Sequence, residues 1–395
     1  MSYDFTTLVS RKNTGASKWE QMYSWNPNVA DDVVPLSVAD MEFKPAPEIV
    51  EGLKKHLDTA ILGYTKAYPD FLDSVISWMD RRHNYKVEKE WILNTPGVVN
   101  AFYAAVNAFT EPGEGVIIFR PVYYPFSMAI EKNERNIANC PLIEKDGYYT
   151  IDFEKFDEIS KDPKNKLLIF CSPHNPVGRV WKKKELAKVG ELCLKYNVRI
   201  IADEIWRDII MPGVTHTPLA SISKEIENIT ITCFSPTKTF NIAGLQASFA
   251  TFPRKEELER FDRELGILDI KRNNPFSLVA FEAAYTKCDE WVDQLNKFLS
   301  SNMDYTIDFI EKRIPEVKIC KAEGTYLLWL DFSALGFTKE GLSEFMKREA
   351  KVAMDDGYWF GDNGIGYERM NIACPRYMLE EGLTRIEKAV KSLRK

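Results

Sequence analysis

Between residues 90 and 250 the chain alternates short apolar runs with helical patterns, and nothing else in it constrains the fold as strongly. The runs are "WILN" (91–94), "GVIIF" (115–119), "KLLIFC" (166–171), "VRIIA" (198–202) and "NITITCF" (228–234). They are nearly continuous in apolar residues instead of alternating, as strands buried on both faces require. A helix is expected from near Val98. In "YPFSMAIEKN" and "KKKELAKVGELCLKYN" helices are also expected, the second with apolar residues at helical spacing. The expectation is an α/β fold, a mostly parallel sheet covered by helices. After about residue 285 the pattern changes to a long helix, "YLLWLDF", a further helix, the Gly-rich "FGDNGIG", "RMNIA" and a last helix, which reads as a smaller α+β domain. The first 45 or so residues show little helical periodicity and are expected to wrap onto the rest. The resulting division is 1–45, 46–285 and 286–395.

With 395 residues, two domains are the natural expectation. A net charge of −6 argues against nucleic acid as a main partner, because phosphate binding needs a basic footprint. The seven cysteines form no CxxC pair and the four histidines no HExxH spacing, so neither a disulfide framework nor a metal site is signalled. No uncharged apolar run approaches the ~18 residues of a membrane span, and the first residues lack the build of a signal peptide. A cytoplasmic protein is expected.

In open parallel sheets ligands bind beyond the carboxyl ends of the strands. After "WILN" comes "TPGVVNAF", a glycine turn into a helix whose free N–H groups suit a phosphate. The later strand ends present Tyr123 and Tyr124, Asn175, Asp203, and Lys238 in "SPTKT". Taken singly, each has an ordinary reading as a turn, a cap, a packed ring or a surface lysine. Taken together, they ask for a ligand with a phosphate, an aromatic ring, a ring nitrogen that wants an acid, a phenolic oxygen and an aldehyde. Pyridoxal 5′-phosphate has all five.

The chain resembles the fold type I pyridoxal-phosphate enzymes, the aspartate-aminotransferase fold, over essentially its whole length. "PGVV", "PVYYPF", "SPHNPVGRVW", "ADEI", "SPTKTFNIAGL", "EGTYLLW" and "ERMNIACP" stand in that family's order. The resemblance implies a large domain with a seven-stranded, mostly parallel sheet. It implies that Lys238 is the Schiff-base lysine and proton carrier, that Asp203 pairs with the pyridine nitrogen, that Asn175 donates to the phenolic oxygen and that Tyr123 stacks on the ring. Backbone N–H groups of Val98 and Val99, with the hydroxyls of Ser235 and Thr237, would take the phosphate. Arg369 would clamp the substrate α-carboxylate, with Tyr124 at the substrate side. Tyr64 would reach the phosphate of a neighbouring subunit, which implies a homodimer with shared sites.

The finer resemblance is to the C–S lyase subgroup, the cystathionine β-lyase and cystalysin-like enzymes, through "VVPLSVADMEF" (33–43), "SPHNPVGRVWKKKEL" and "TKTFNIAGL". Classical aminotransferases usually carry an arginine eight residues after the lysine, and here that position is Gln246. Three residues after Asp203, where aminotransferases carry Tyr and the lyases His, stands Trp206, which donates one hydrogen bond and cannot titrate. The implied activity is release of a thiol, pyruvate and ammonia from a sulfur-substituted amino acid. Amino-group transfer is the second reading, and a regulatory protein on the same fold a remote third.

Overall fold

In the computed structural model, which describes residues 2–25, 29 and 32–393, the five strands expected between 90 and 250 join two others in one sheet of seven. Its strands are β1 (Ile92–Thr95), β2 (Gly115–Ile118), β3 (Asn136–Asn139), β4 (Asn165–Cys171), β5 (Arg199–Asp203), β6 (Thr230–Phe234) and β7 (Ser248–Thr251). Their order is β1-β7-β6-β5-β4-β2-β3. Strands β3, β2, β4, β5 and β6 run parallel, and β7 is antiparallel to both β6 and β1. The central strands are apolar on both faces because helices cover both. Phe102, Phe126 and Phe261 pack on one side, and Phe156, Leu186 and Leu192 on the other.

The expected helices are present as α1 (Val98–Phe109), α2 (Pro125–Lys132) and α3 (Lys183–Tyr196). The long helix is α4 (Asp289–Arg313) and the last is α5 (Arg376–Ser392). Beyond α4, a four-stranded antiparallel sheet holds β8 (Lys318–Cys320), β9 (Leu327–Asp331), β10 (Asp355–Asp356) and β11 (Tyr367–Asn371), in the order β8-β9-β11-β10.

The N-terminal segment wraps in two places. Phe5 packs edge-on against Phe43 and Trp291, and Val34–Pro35 pairs in parallel with Val352–Ala353. One difference from the sequence reading stands out: Ser17–Trp25 is helical. Trp19 and Met22 are buried in it against Val33 and Ala353, with Tyr23 partly buried beside them. Tertiary contact, rather than a sustained periodicity, makes that helix. Among the described residues no helix is long and apolar enough to cross a membrane, and no group of side chains is arranged to hold a metal.

Candidate active site

The carboxyl ends of β5 and β6, the turn into α1 and the segment before β7 enclose a cavity of about 380 Å3. Tyr123, Asn175, Asp203, Trp206, Thr237 and Lys238 line it, with Gly97, Val98 and Val99 at one end. Strand register brings these residues together. Cys171 lies beside Asp203, and Asp203 beside Cys233, so the segments leaving three adjacent parallel strands emerge on one edge.

Gly97 adopts φ 114°, open to glycine and strained for other residues, and its carbonyl accepts from Ala101 as α1 begins. The first amides of α1 therefore face the cavity with no partner inside the helix, a seat for an anion. Asp203 is buried, and its carboxylate accepts from the Ile205 amide at 3.1 Å. Burial pushes its pKa up to about 7 against the pull of that amide and of Lys238, with Glu204 adding to the rise. Lys238 donates from Nζ to the Ala39 carbonyl at 2.9 Å. Desolvation draws its pKa below the usual lysine range, with Asp40 and Asp203 opposing and Arg369 reinforcing. Asn175 accepts from Arg369 Nη1 through Oδ1 at 2.9 Å, which leaves its NH2 to donate.

These residues fit pyridoxal 5′-phosphate. A buried carboxylate that takes one backbone amide and, among the described residues, no salt bridge suits a polarised ring N–H, a desolvated amine suits an aldehyde, and the α1 terminus suits the phosphate. Tyr123 supplies an aromatic face on the wall.

Other expected residues stand farther off. Ser235 donates its hydroxyl proton to the Ala247 carbonyl at 2.8 Å and accepts from the Thr237 amide, so it closes the turn while Thr237 lines the cavity. Arg369 is buried behind Asn175, with its guanidinium over Phe360 at 4.8 Å. Tyr124 packs edge-on to Phe360 and Trp359 and lines a separate cavity of about 440 Å3 with Arg120 and Tyr358. Tyr64 is 96% exposed, with the Arg272 guanidinium 5.7 Å from its ring, and does not reach this chain's cavity. Gln246 lines the cavity with φ 47°. The Trp206 ring stands edge-to-face on Tyr326 at 4.7 Å.

Sequence reasoning missed the groups that hold the frame. The Ala39 carbonyl accepts from both Lys238 and the Tyr326 hydroxyl, each at 2.9 Å. Asp355 accepts from Arg369 Nε and Nη2 at 3.1 and 2.5 Å. The quoted stretch "VVPLSVADMEF" was the available signal for the first; an antiparallel register places the second.

The family model for aminotransferase class I and II matches residues 31–386. The cystathionine beta-lyase PatB of Bacillus subtilis is 41% identical over 98% of this chain and 100% of its own. The structure of cystalysin from Treponema denticola, which contains pyridoxal 5′-phosphate, superposes with a TM-score of 0.98 at 49% identity, covering 100% of both chains. A pyridoxal-phosphate-bound C–S lyase from Staphylococcus hominis superposes at 0.92 with 32% identity, over 99% of this chain and 98% of its own. The chain belongs to the class I and II aminotransferase family.

Proposed function

We propose that the protein is a pyridoxal-phosphate-dependent C–S β-lyase that converts a sulfur-substituted amino acid and water into a thiol, pyruvate and ammonia. The observation that carries this reading is the single cavity in which a desolvated Lys238 amine faces Asp203 and Asn175. The full-length likeness to cystathionine β-lyases supports the lyase branch over amino-group transfer.

Pyridoxal phosphate, when bound, supplies the electron sink for the carbon that loses its proton. Asp203 would hold the ring nitrogen's proton, Asn175 would donate to the phenolic oxygen and the amides of Val98 and Val99 would hold the phosphate. Arg369 takes the substrate α-carboxylate through its planar fork. Lys238 Nζ removes the Cα proton, which requires its neutral form, and desolvation favours that form. The thiolate then departs from Cβ.

The working unit in this proposal is a homodimer. Tyr64, Ile61 and Leu62 are 96%, 93% and 62% exposed, and Ile267 and Leu268 are 70% and 68% exposed; a bridge between Thr65 and Asn273 ties the two segments together. Tyr64 would serve the partner's site. A cytoplasmic setting accords with seven buried cysteines that are all free thiols.

Incubation of the holoenzyme with cystathionine and S-alkylcysteines tests the reading. Pyruvate and thiol in equal amounts, without an added 2-oxo acid, are expected. Turnover that depends on a 2-oxo acid would replace the lyase with a transaminase.

A further inference from the structure

Residues 36–43, "LSVADMEF", form a strap beside the cavity, and side chains from other segments hold its backbone at several points. Val38 adopts φ 52°, a left-handed conformation that β-branched residues rarely take. Asn371 Nδ2 donates to both the Val38 and Asp40 carbonyls at 2.7 Å. Asn241 accepts from the Met41 amide at 3.0 Å and donates to the Met41 carbonyl at 3.1 Å. These bonds fix Ala39, whose carbonyl takes Lys238 Nζ.

The Val38 amide donates to Asp355 Oδ2 at 3.1 Å, the same oxygen that accepts from Arg369 Nε and Nη2. Asp355 and Arg369 are direct cross-strand neighbours on β10 and β11, and both are buried. Of the five N–H groups of Arg369, two go to Asp355 and one to Asn175. Among the described residues one N–H on each Nη nitrogen has no acceptor, and these two are the pair that a carboxylate can take in bidentate fashion.

We propose that Asp355 is a positioning residue that registers the Arg369 fork against the strap, so that carboxylate seating and the Ala39 hold on Lys238 act as one unit. This rests on the reading of Arg369 as the α-carboxylate clamp. Without Asp355, the fork loses the anchor that orients it, and the strained Val38 loses the acceptor for its amide. Both ends of the linkage then relax together.

The test uses holoenzyme and two probes. 2-Aminoisobutyrate has no Cα hydrogen and so cannot lose one, and isopropylamine is the same molecule without the carboxylate. Affinities are read from the visible spectrum of the bound cofactor, and hydrogen exchange of the 36–43 peptide from mass spectrometry. In Asp355→Ala the preference for 2-aminoisobutyrate over isopropylamine is expected to fall about 30-fold or more. Exchange in 36–43 is expected to quicken about tenfold while β4 and β5 stay unchanged. Asp355→Asn keeps an acceptor for Val38 and should fall between; if the alanine variant does not fold, Asp355→Asn must still lose carboxylate preference. A change in affinity without a change in exchange, or the reverse, overturns the linkage, as does no change in either. Arg369→Lys separates the two readings. An intact carboxylate preference there removes the clamp and the inference with it. A loss there with none in Asp355→Ala removes the inference alone. Neither readout depends on β-elimination.

Discussion

Two carboxylates five residues apart leave the same strand end and meet opposite surroundings. Asp203 and Asp208 are both buried. Asp208 accepts from Trp78 Nε1 at 3.1 Å and Thr239 Oγ1 at 2.9 Å, and lies 2.8 Å from His83 Nε2. Burial alone would raise its pKa, but the His83 hydrogen bond and charge, with Arg207, bring it down to about 2. Asp203, with one backbone donor, is left at about 7. The turn 205–208 thus has a satisfied face that braces the fold and a face kept short of partners for a ligand. Here the carboxylate surrounded by donors braces the fold, and the one with a single backbone donor lines the cavity.

The largest test of that contrast removes the amine facing Asp203. Lys238→Ala should lower turnover by at least about 10³-fold and abolish the cofactor's internal visible band, leaving the melting temperature of the apoprotein unchanged or raised. Next come the two acids. Asp203→Asn should cost turnover about 10²-fold or more with no loss of apoprotein stability. Asp208→Ala should do the reverse, destabilising by about 3–5 kcal/mol in urea titration because His83, Trp78 and Thr239 lose their acceptor. Equal stability losses in the two variants would erase the distinction.

How much of this was legible in the sequence depends on where each signal sits. The runs leading to β1, β2, β4, β5 and β6 were readable, most clearly where apolar residues fill both faces. Strand β3, "NIAN", is a partly exposed edge strand, and β7, "SFAT", is four residues with two small polar ends, so neither carries a pattern. Lys238, Asp203, Asn175 and Tyr123 were readable because chemistry-bearing side chains at strand ends are unusual in number. The stretch "VVPLSVADMEF" marked the strap as a family block, but not the Ala39 hold itself, since a carbonyl leaves no mark on residue identity. Asp355 looks like any surface acid until the β10–β11 register sets it opposite Arg369. The helix at Ser17–Trp25 was hidden because its few apolar residues set no sustained period and part of what they pack on, Ala353, lies far along the chain.

A smaller effect appears as pH dependence in the apoprotein. Asp203 binds a proton more tightly folded, at about 7, than unfolded, near the ordinary aspartate value of 3.8. Its contribution therefore costs nothing below about pH 4 and destabilises progressively as pH rises to about 7. Asp203→Asn removes that cost, so its apoprotein should gain on the wild type between pH 5 and pH 8, read as a rising difference in urea midpoint. Asp208 works the other way: its folded pKa is depressed, so its contribution is present above about pH 4 and lost as pH falls through 2. A difference between Asp203→Asn and wild type that stays flat across this range would mean that Asp203 is not stranded by burial.

The smallest effect belongs to Trp206, which stands between the two acids. Its indole is buried against Tyr326, whose hydroxyl donates to Ala39, so it supports the strap from below while one edge faces the cavity. Phenylalanine keeps an aromatic ring there and removes only the N–H and part of the contact. If the indole acts through packing, Trp206→Phe should cost about 1 kcal/mol of stability and leave turnover within about tenfold of wild type. The cofactor's visible band should also stay where it is. A shifted band with unchanged stability would make Trp206 a donor to the ligand, moving it from the bracing face of the turn to the chemical one.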